Sequence, residues 1–119
     1  MGNQILIVDD DVDLLETFKD SLTLRGYDVI TAFDGQEAIK QYNENEPCIT
    51  FMDIKMPVMD GYEAFSKIKN NDANAKVVFV TGHETMEKSF EALQHGLKGV
   101  LNKPVQPKIM VDMIKENNC

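Results

Sequence analysis

Ile5-Leu6-Ile7-Val8-Asp9-Asp10 opens the regular structure of this 119-residue chain with four apolar residues in unbroken succession and closes on two carboxylates. A strand solvated on one face alternates apolar and polar residues, whereas a strand covered on both faces has no need to. The run therefore implies a sheet with helices above and below it. Four more short segments, mostly β-branched or aromatic, follow at Asp28-Val29-Ile30-Thr31-Ala32, Ile49-Thr50-Phe51-Met52, Val77-Val78-Phe79-Val80 and Gly99-Val100-Leu101. With the first they predict five strands.

Between the strands the apolar period lengthens to that of a helix. Leu15, Phe18 and Leu22 make one stripe; Ala38 or Ile39 with Tyr42 a second; Phe65 and Ile68 a third. Met86, Phe90 and Leu93 make a fourth, and Ile109, Met110, Met113 and Ile114 a fifth. Asp34-Gly-Gln-Glu37 and Asp60-Gly-Tyr-Glu63 each place an acidic cap three residues before a glutamate, a variant of the capping box. Gly26 and Gly96 stand where two helices should stop.

Strand and helix thus alternate through the whole chain, an order that gives parallel strands joined by right-handed helical crossovers: an α/β, doubly wound sheet of (βα)5 type. No linker or low-complexity tract interrupts it, so residues 1–119 are expected to form one domain. Such sheets bind ligands outside the carboxyl ends of their strands. Reading those ends in turn gives Asp9 and Asp10 after the first strand, Asp53 after the third, Thr81 after the fourth and Lys103 just after the fifth. The second strand ends in Ala32 and Phe33 and adds nothing comparable.

Three carboxylates crowded into a crevice repel one another and raise their own pKa values unless a cation joins them. Mg²⁺, which takes oxygen ligands and keeps several waters, suits Asp10 and Asp53, with Asp9 acting through water; zinc would want His or Cys. A lysine and a hydroxyl opposite the carboxylates gain a purpose if a phosphoryl group is attached at the centre, where Lys103 neutralises charge and Thr81 donates a hydrogen bond. Asp53, on the middle strand, is the candidate nucleophile, since carboxylates form aspartyl phosphates. Each residue also has a plainer reading. Asp10 or Asp11 can cap the first helix, Thr81 can be an ordinary strand-end hydroxyl, and Lys103 a surface cation. What weakens these readings is that the residues fall on the same edge.

The bulk composition narrows the partners. Twelve basic residues against twenty acidic ones leave a net charge of -8, which disfavours nucleic acid and anionic membranes. No secretory signal or membrane-spanning run is visible, so a cytoplasmic protein is expected. The two cysteines, Cys48 and Cys119, lack any metal-ligand spacing and are expected to be free thiols. His83 and His95 are isolated and read as structural.

The motifs Val8-Asp9-Asp10, Met52-Asp53, Met56-Pro57-Val58-Met59-Asp60-Gly61, Thr81-Gly82 and Lys103-Pro104 together resemble the receiver domains of two-component response regulators, in order and spacing, over essentially the whole chain. The resemblance implies a flavodoxin-like sheet of strand order 2-1-3-4-5, an order for which chemotaxis regulators of this family are a standard illustration. It implies Asp53 as phosphoacceptor and Asp9 and Asp10 as the acidic pair. It also implies the backbone carbonyl of Lys55 as a further Mg²⁺ ligand, Thr81 as the switch hydroxyl and Lys103 as the phosphoryl-contacting lysine. A cis bond is expected before Pro104. The implied donor is a sensor histidine kinase or histidine phosphotransfer protein. The implied output is a downstream protein met through the fourth helix, fifth strand and fifth helix, without conventional enzyme activity beyond the domain's own phosphorylation and dephosphorylation.

Two positions depart from the pattern: Val100 stands where an aromatic residue often couples to the switch threonine, and Gly82 where alanine is usual. Lys55 and His83 occupy positions that influence phosphoryl lifetime in the family. Three other readings are compatible with parts of the sequence. A Mg²⁺-dependent aspartyl-phosphate phosphatase would want a second carboxylate where Lys55 stands. A flavin carrier would want a Ser, Thr and Gly loop where Asp9-Asp10-Asp11 stands. A receiver module cut from a longer regulator or hybrid kinase would look the same.

Overall fold

Burial along the strands sets the architecture. The computed structural model describes residues 4–82 and 91–119. In chain order it contains β1 (Gln4–Val8), α1 (Val12–Leu24), β2 (Asp28–Ala32), α2 (Gly35–Asn45), β3 (Ile49–Asp53), α3 (Gly61–Asn71) and β4 (Val77–Thr81). Helical residues 91–94, β5 (Gly99–Asn102) and a C-terminal helix (Pro107–Glu116) follow. Every residue of β3 and β4 is buried, as is β1 after Gln4, whereas β2 and β5 are only partly covered. The unalternated runs are therefore the inner strands. The sheet order is β2-β1-β3-β4-β5 and every pairing is parallel, the flavodoxin-like arrangement expected.

Successive side chains on these strands leave the sheet on opposite faces and feed two cores. Leu6, Val8, Met52 and Phe79 pack with Ala38 and Tyr42 of α2 and Phe65 and Ile68 of α3. Ile5, Ile7, Phe51 and Val78 pack with Leu15, Phe18 and Leu22 of α1 and with Met110 and Ile114 of the C-terminal helix. The helical stripes thus reach their expected positions, with two exceptions: Leu93 and Ile109 are exposed. Met86 and Phe90 lie outside the described residues.

Helix ends follow from local chemistry. The N–H groups of Leu14, Glu37 and Glu63 donate to the side chains of Asp11, Asp34 and Asp60, at 3.2, 2.7 and 3.0 Å. Each bond satisfies a first-turn donor that has no partner within its helix. Gly26 and Gly96, at φ 94° and 97°, end their helices in the left-handed region, as their positions predicted.

The C-terminal helix ends in the same way on a different residue. Asn118 adopts φ 63°, its N–H donates to Lys115 O, and the Cys119 N–H donates to Ile114 O at 3.0 Å. This is a Schellman turn, and it folds the last residue back onto the sheet. There Cys119 forms a disulfide with Cys48, with Cα atoms 5.9 Å apart. The expectation of two free thiols is therefore corrected. The partners are 71 residues apart in sequence, and only the tertiary fold brings a terminal turn to the amino end of β3. The Lys103–Pro104 bond is cis, as expected.

One glycine is fixed by space rather than by φ. A Cβ on Gly61 would lie 2.5 Å from Asp53 O and 2.8 Å from Ile54 Cα, because the loop after β3 doubles back so that the Gly61 N–H donates to Ile54 O at 2.7 Å. Both clashing groups are backbone, so relief requires moving the end of β3. Gly61→Ala should destabilise the fold by about 1–3 kcal/mol, the usual scale of overpacking. Urea denaturation of the two proteins measures it.

Candidate functional site

Strand register assembles the site. Val8 lies opposite Met52, so Asp9 comes level with Asp53 at the next step; Asp53 lies opposite Val80, so Thr81 stands one step beyond it; Thr81 lies opposite Asn102, which brings Lys103 alongside. The Lys103 N–H donates to Thr81 O at 2.8 Å and the Asp9 N–H to Ala32 O at 3.1 Å, tying both positions to neighbouring strands. The five residues singled out by sequence thus meet at one sheet edge. Asp9, Asp53 and Thr81 are buried, Asp10 is exposed and Lys103 is partly covered. Lys55 is exposed two residues past Asp53, in the loop that leads toward Gly61.

One carboxylate oxygen from each of Asp9, Asp10 and Asp53 lies within 4.8 Å of the others, close enough for all three to share one cation. The Lys103 ammonium is 2.9 Å from Asp9 Oδ2 and 3.4 Å from Asp53 Oδ2. Asp9 Oδ1 accepts the Asp11 N–H at 2.9 Å, so both oxygens of Asp9 are engaged within the protein. Sequence reading treated Asp11 only as a possible cap. It is the cap of α1, and its backbone also fixes the rotamer of Asp9.

Burial pushes the Asp53 carboxyl up to about 6, the nearby Asp9 and Asp10 charges add to the rise, and Lys103 offsets part of it. For Lys103 burial acts downward, but its hydrogen bond to Asp9 and the charges of Asp53 and Asp9 outweigh burial and raise its pKa. The site is thus a charged, partly desolvated cluster with a surplus of carboxylates that could hold a cation. A groove of about 920 Å³ between residues of α3, among them Tyr62 and Phe65, and Glu91, Ala92, His95 and Gly96 shares none of these residues.

The positions that depart from the family pattern are also resolved. Val100 lies opposite Phe79 and packs, partly buried, on the layer where Phe79 meets Tyr62 and Phe65 edge to face. A Cβ on Gly82 would meet nothing within 4 Å among the described residues. His83 lies outside the described residues.

Residues 5–115 match the response regulator receiver domain family. The chain belongs to that family. Among curated relatives, the chemotaxis protein CheY of Thermotoga maritima is 37% identical over 98% of both chains. Among solved structures, a CheY-like response regulator receiver domain protein from Methanospirillum hungatei superposes with a TM-score of 0.91 at 33% identity, covering 98% of this chain and 93% of that one. A CheX-CheY-BeF3-Mg²⁺ complex from Borrelia burgdorferi gives a TM-score of 0.89 at 29% identity, covering 98% and 89%. Receiver domains of this CheY type are phosphoacceptor signalling domains. Among the described residues of this receiver domain no helix is long and apolar enough to cross a membrane.

The raised Asp53 pKa has a stability consequence with a definite sign. Between about pH 4 and pH 6 the unfolded chain has lost the Asp53 proton while the folded, metal-free domain retains it, so this group's contribution to stability falls as pH rises through that window. Asp53→Asn removes the effect. In chelator at pH 7 it should stabilise the domain by about 1–3 kcal/mol, and the advantage should shrink toward pH 4. Urea titrations of both proteins across that range check it.

Proposed function

We propose that this receiver domain, residues 1–119, accepts a phosphoryl group on Asp53 from the phosphohistidine of a sensor kinase or histidine phosphotransfer protein, and thereby switches its interaction with a downstream protein in the cytoplasm. The observation that carries this reading is the convergence of Asp9, Asp10 and Asp53 within 4.8 Å beside the Lys103 ammonium. An Asp53 oxygen attacks phosphorus, the bond from phosphorus to the imidazole nitrogen breaks, and the imidazole leaves with that electron pair and is protonated by solvent. Burial keeps the nucleophile's hydration low, and the Lys103 ammonium, 3.4 Å from Asp53 Oδ2, helps to hold it in one orientation.

Mg²⁺ is the fitting cation because the donors are all oxygens: Asp10 and Asp53 directly, the Lys55 backbone carbonyl, and Asp9 through water, since its own oxygens already accept from Lys103 and Asp11. Bound there, the ion supplies positive charge against the phosphoryl oxygens. The relative solved with BeF3 and Mg²⁺ supports the same assignment, BeF3 being close to a phosphoryl group in shape and charge. Lys103 is close enough to Asp53 to exchange its carboxylate contact for a phosphoryl oxygen. Thr81, one step beyond Asp53's strand partner, is the hydroxyl drawn toward the modified side chain. Output is assigned to β5 and the helices on either side of it.

The test is incubation with acetyl phosphate or a phosphohistidine donor in Mg²⁺, read by intact mass. Wild type should gain one phosphoryl group, labile to hydroxylamine. Asp53→Asn and the chelated wild type should gain none, and Lys103→Ala should be slowed by about tenfold or more. Labelling of Asp53→Asn at the wild-type rate sinks the assignment.

A further inference from the structure

We infer that the Cys48–Cys119 pair is a site of reversible thiol–disulfide exchange with dithiol reductants, and that its oxidation state sets whether the last turn of the C-terminal helix is clamped to the amino end of β3. The bridge joins a half-buried residue that leads into the central strand to the final residue of the chain. Both sulfurs belong to partly exposed residues, which leaves the bridge open to an incoming thiolate.

Two separate devices place Cys119. The Schellman turn at Asn118 directs it inward, and the Lys76 ammonium donates to Asn117 O at 2.5 Å from the strand side. Cys48 is held in turn by its N–H donating to Gln4 O at 2.9 Å. These contacts bias the thiols toward the bonded geometry after reduction without locking the turn there. Upstream, Met110 and Ile114 are fully buried, so breaking the bridge releases only the final turn and leaves the helix docked. Placed in the cytoplasm, as proposed above, the pair lies where thiols are kept reduced and paired cysteines act mostly as transient redox sites.

The exchange balances as two steps. A thiolate of the dithiol attacks Cys119 Sγ and expels the Cys48 thiolate; the second thiol then attacks the mixed disulfide, releases the Cys119 thiolate and leaves the reductant as a cyclic disulfide. Two electrons pass from the dithiol to the protein, and both cysteines take up a proton. The bridge lies at the opposite end of β3 from Asp53, about 16 Å away at roughly 3.3 Å per residue. Its state is accordingly independent of the phosphoacceptor reaction.

The wild-type domain equilibrated with reduced or oxidised dithiothreitol, without denaturant, tests this. Thiol alkylation and mass spectrometry should find two free thiols in the first buffer and none in the second. Hydrogen exchange over residues 113–119 should be faster by about tenfold in the reduced protein, and Cys119→Ser should reproduce the fast pattern in both buffers. Acetyl phosphate labelling should agree between the two states within about twofold, the tolerance for an uncoupled site. A bridge that yields only in denaturant, thiols that stay free in the oxidised buffer, or equal exchange over residues 113–119 in both buffers would each overturn the inference. Because the alkylation and exchange arms need no phosphoryl donor, they fail or succeed separately from the assignment of Asp53.

Discussion

β3 is buried along its whole length and on both faces, and whatever chemistry it carries must therefore emerge at its two ends. Thr50 shows the cost of breaking this rule: its hydroxyl is buried in the strand interior with no hydrogen-bond partner among the described residues. Asp53 and Cys48 obey it. One lies where the strand opens onto the carboxyl edge of the sheet, and the other where the chain enters it. Parallel neighbours on each side then fix what faces these ends, because the register of β1 and β4 against β3 leaves no freedom to place Asp9 or Thr81 elsewhere.

At the carboxyl edge the energetics are those of enforced proximity. The strands are driven together by their apolar residues, and the carboxylates at their ends are carried along whether or not they attract. Lys103 relieves part of the repulsion, but among the described residues one ammonium against three carboxylates leaves the cluster short of positive charge. The fold thus carries an electrostatic cost at this edge that the hydrophobic core has already offset.

What could be read from the sequence was what is local. Strand identity, the acidic caps at Asp34 and Asp60 and the glycine stops at Gly26 and Gly96 each depend on a few adjacent residues, and the structure has them where the pattern put them. The edge residues were legible because parallel topology converts "last residue of a strand" into a place in space. Other features were illegible for the converse reason. The disulfide depends on where a terminal turn lands after 71 residues of intervening fold, and no spacing encodes that. The second role of Asp11, as donor to Asp9, needs the loop geometry. The constraint on Gly61 comes from a strand end that the glycine's own sequence neighbours do not contain. The exposure of Ile109 reflects a stripe that is wider in sequence than the face the sheet offers.

The bridge between Lys103 and Asp9 joins residues 94 positions apart, and so links the first strand of the chain to the loop after the last. During synthesis from the amino end, the acidic residues and the central strand leave the ribosome long before Lys103 does. A nascent or prematurely terminated chain therefore carries every carboxylate of the cluster without its counter-charge, and without β5 to close the sheet beside Thr81. The centre is completed only when nearly all of the domain is present, so an unfinished chain holds the acidic residues but not the assembled site.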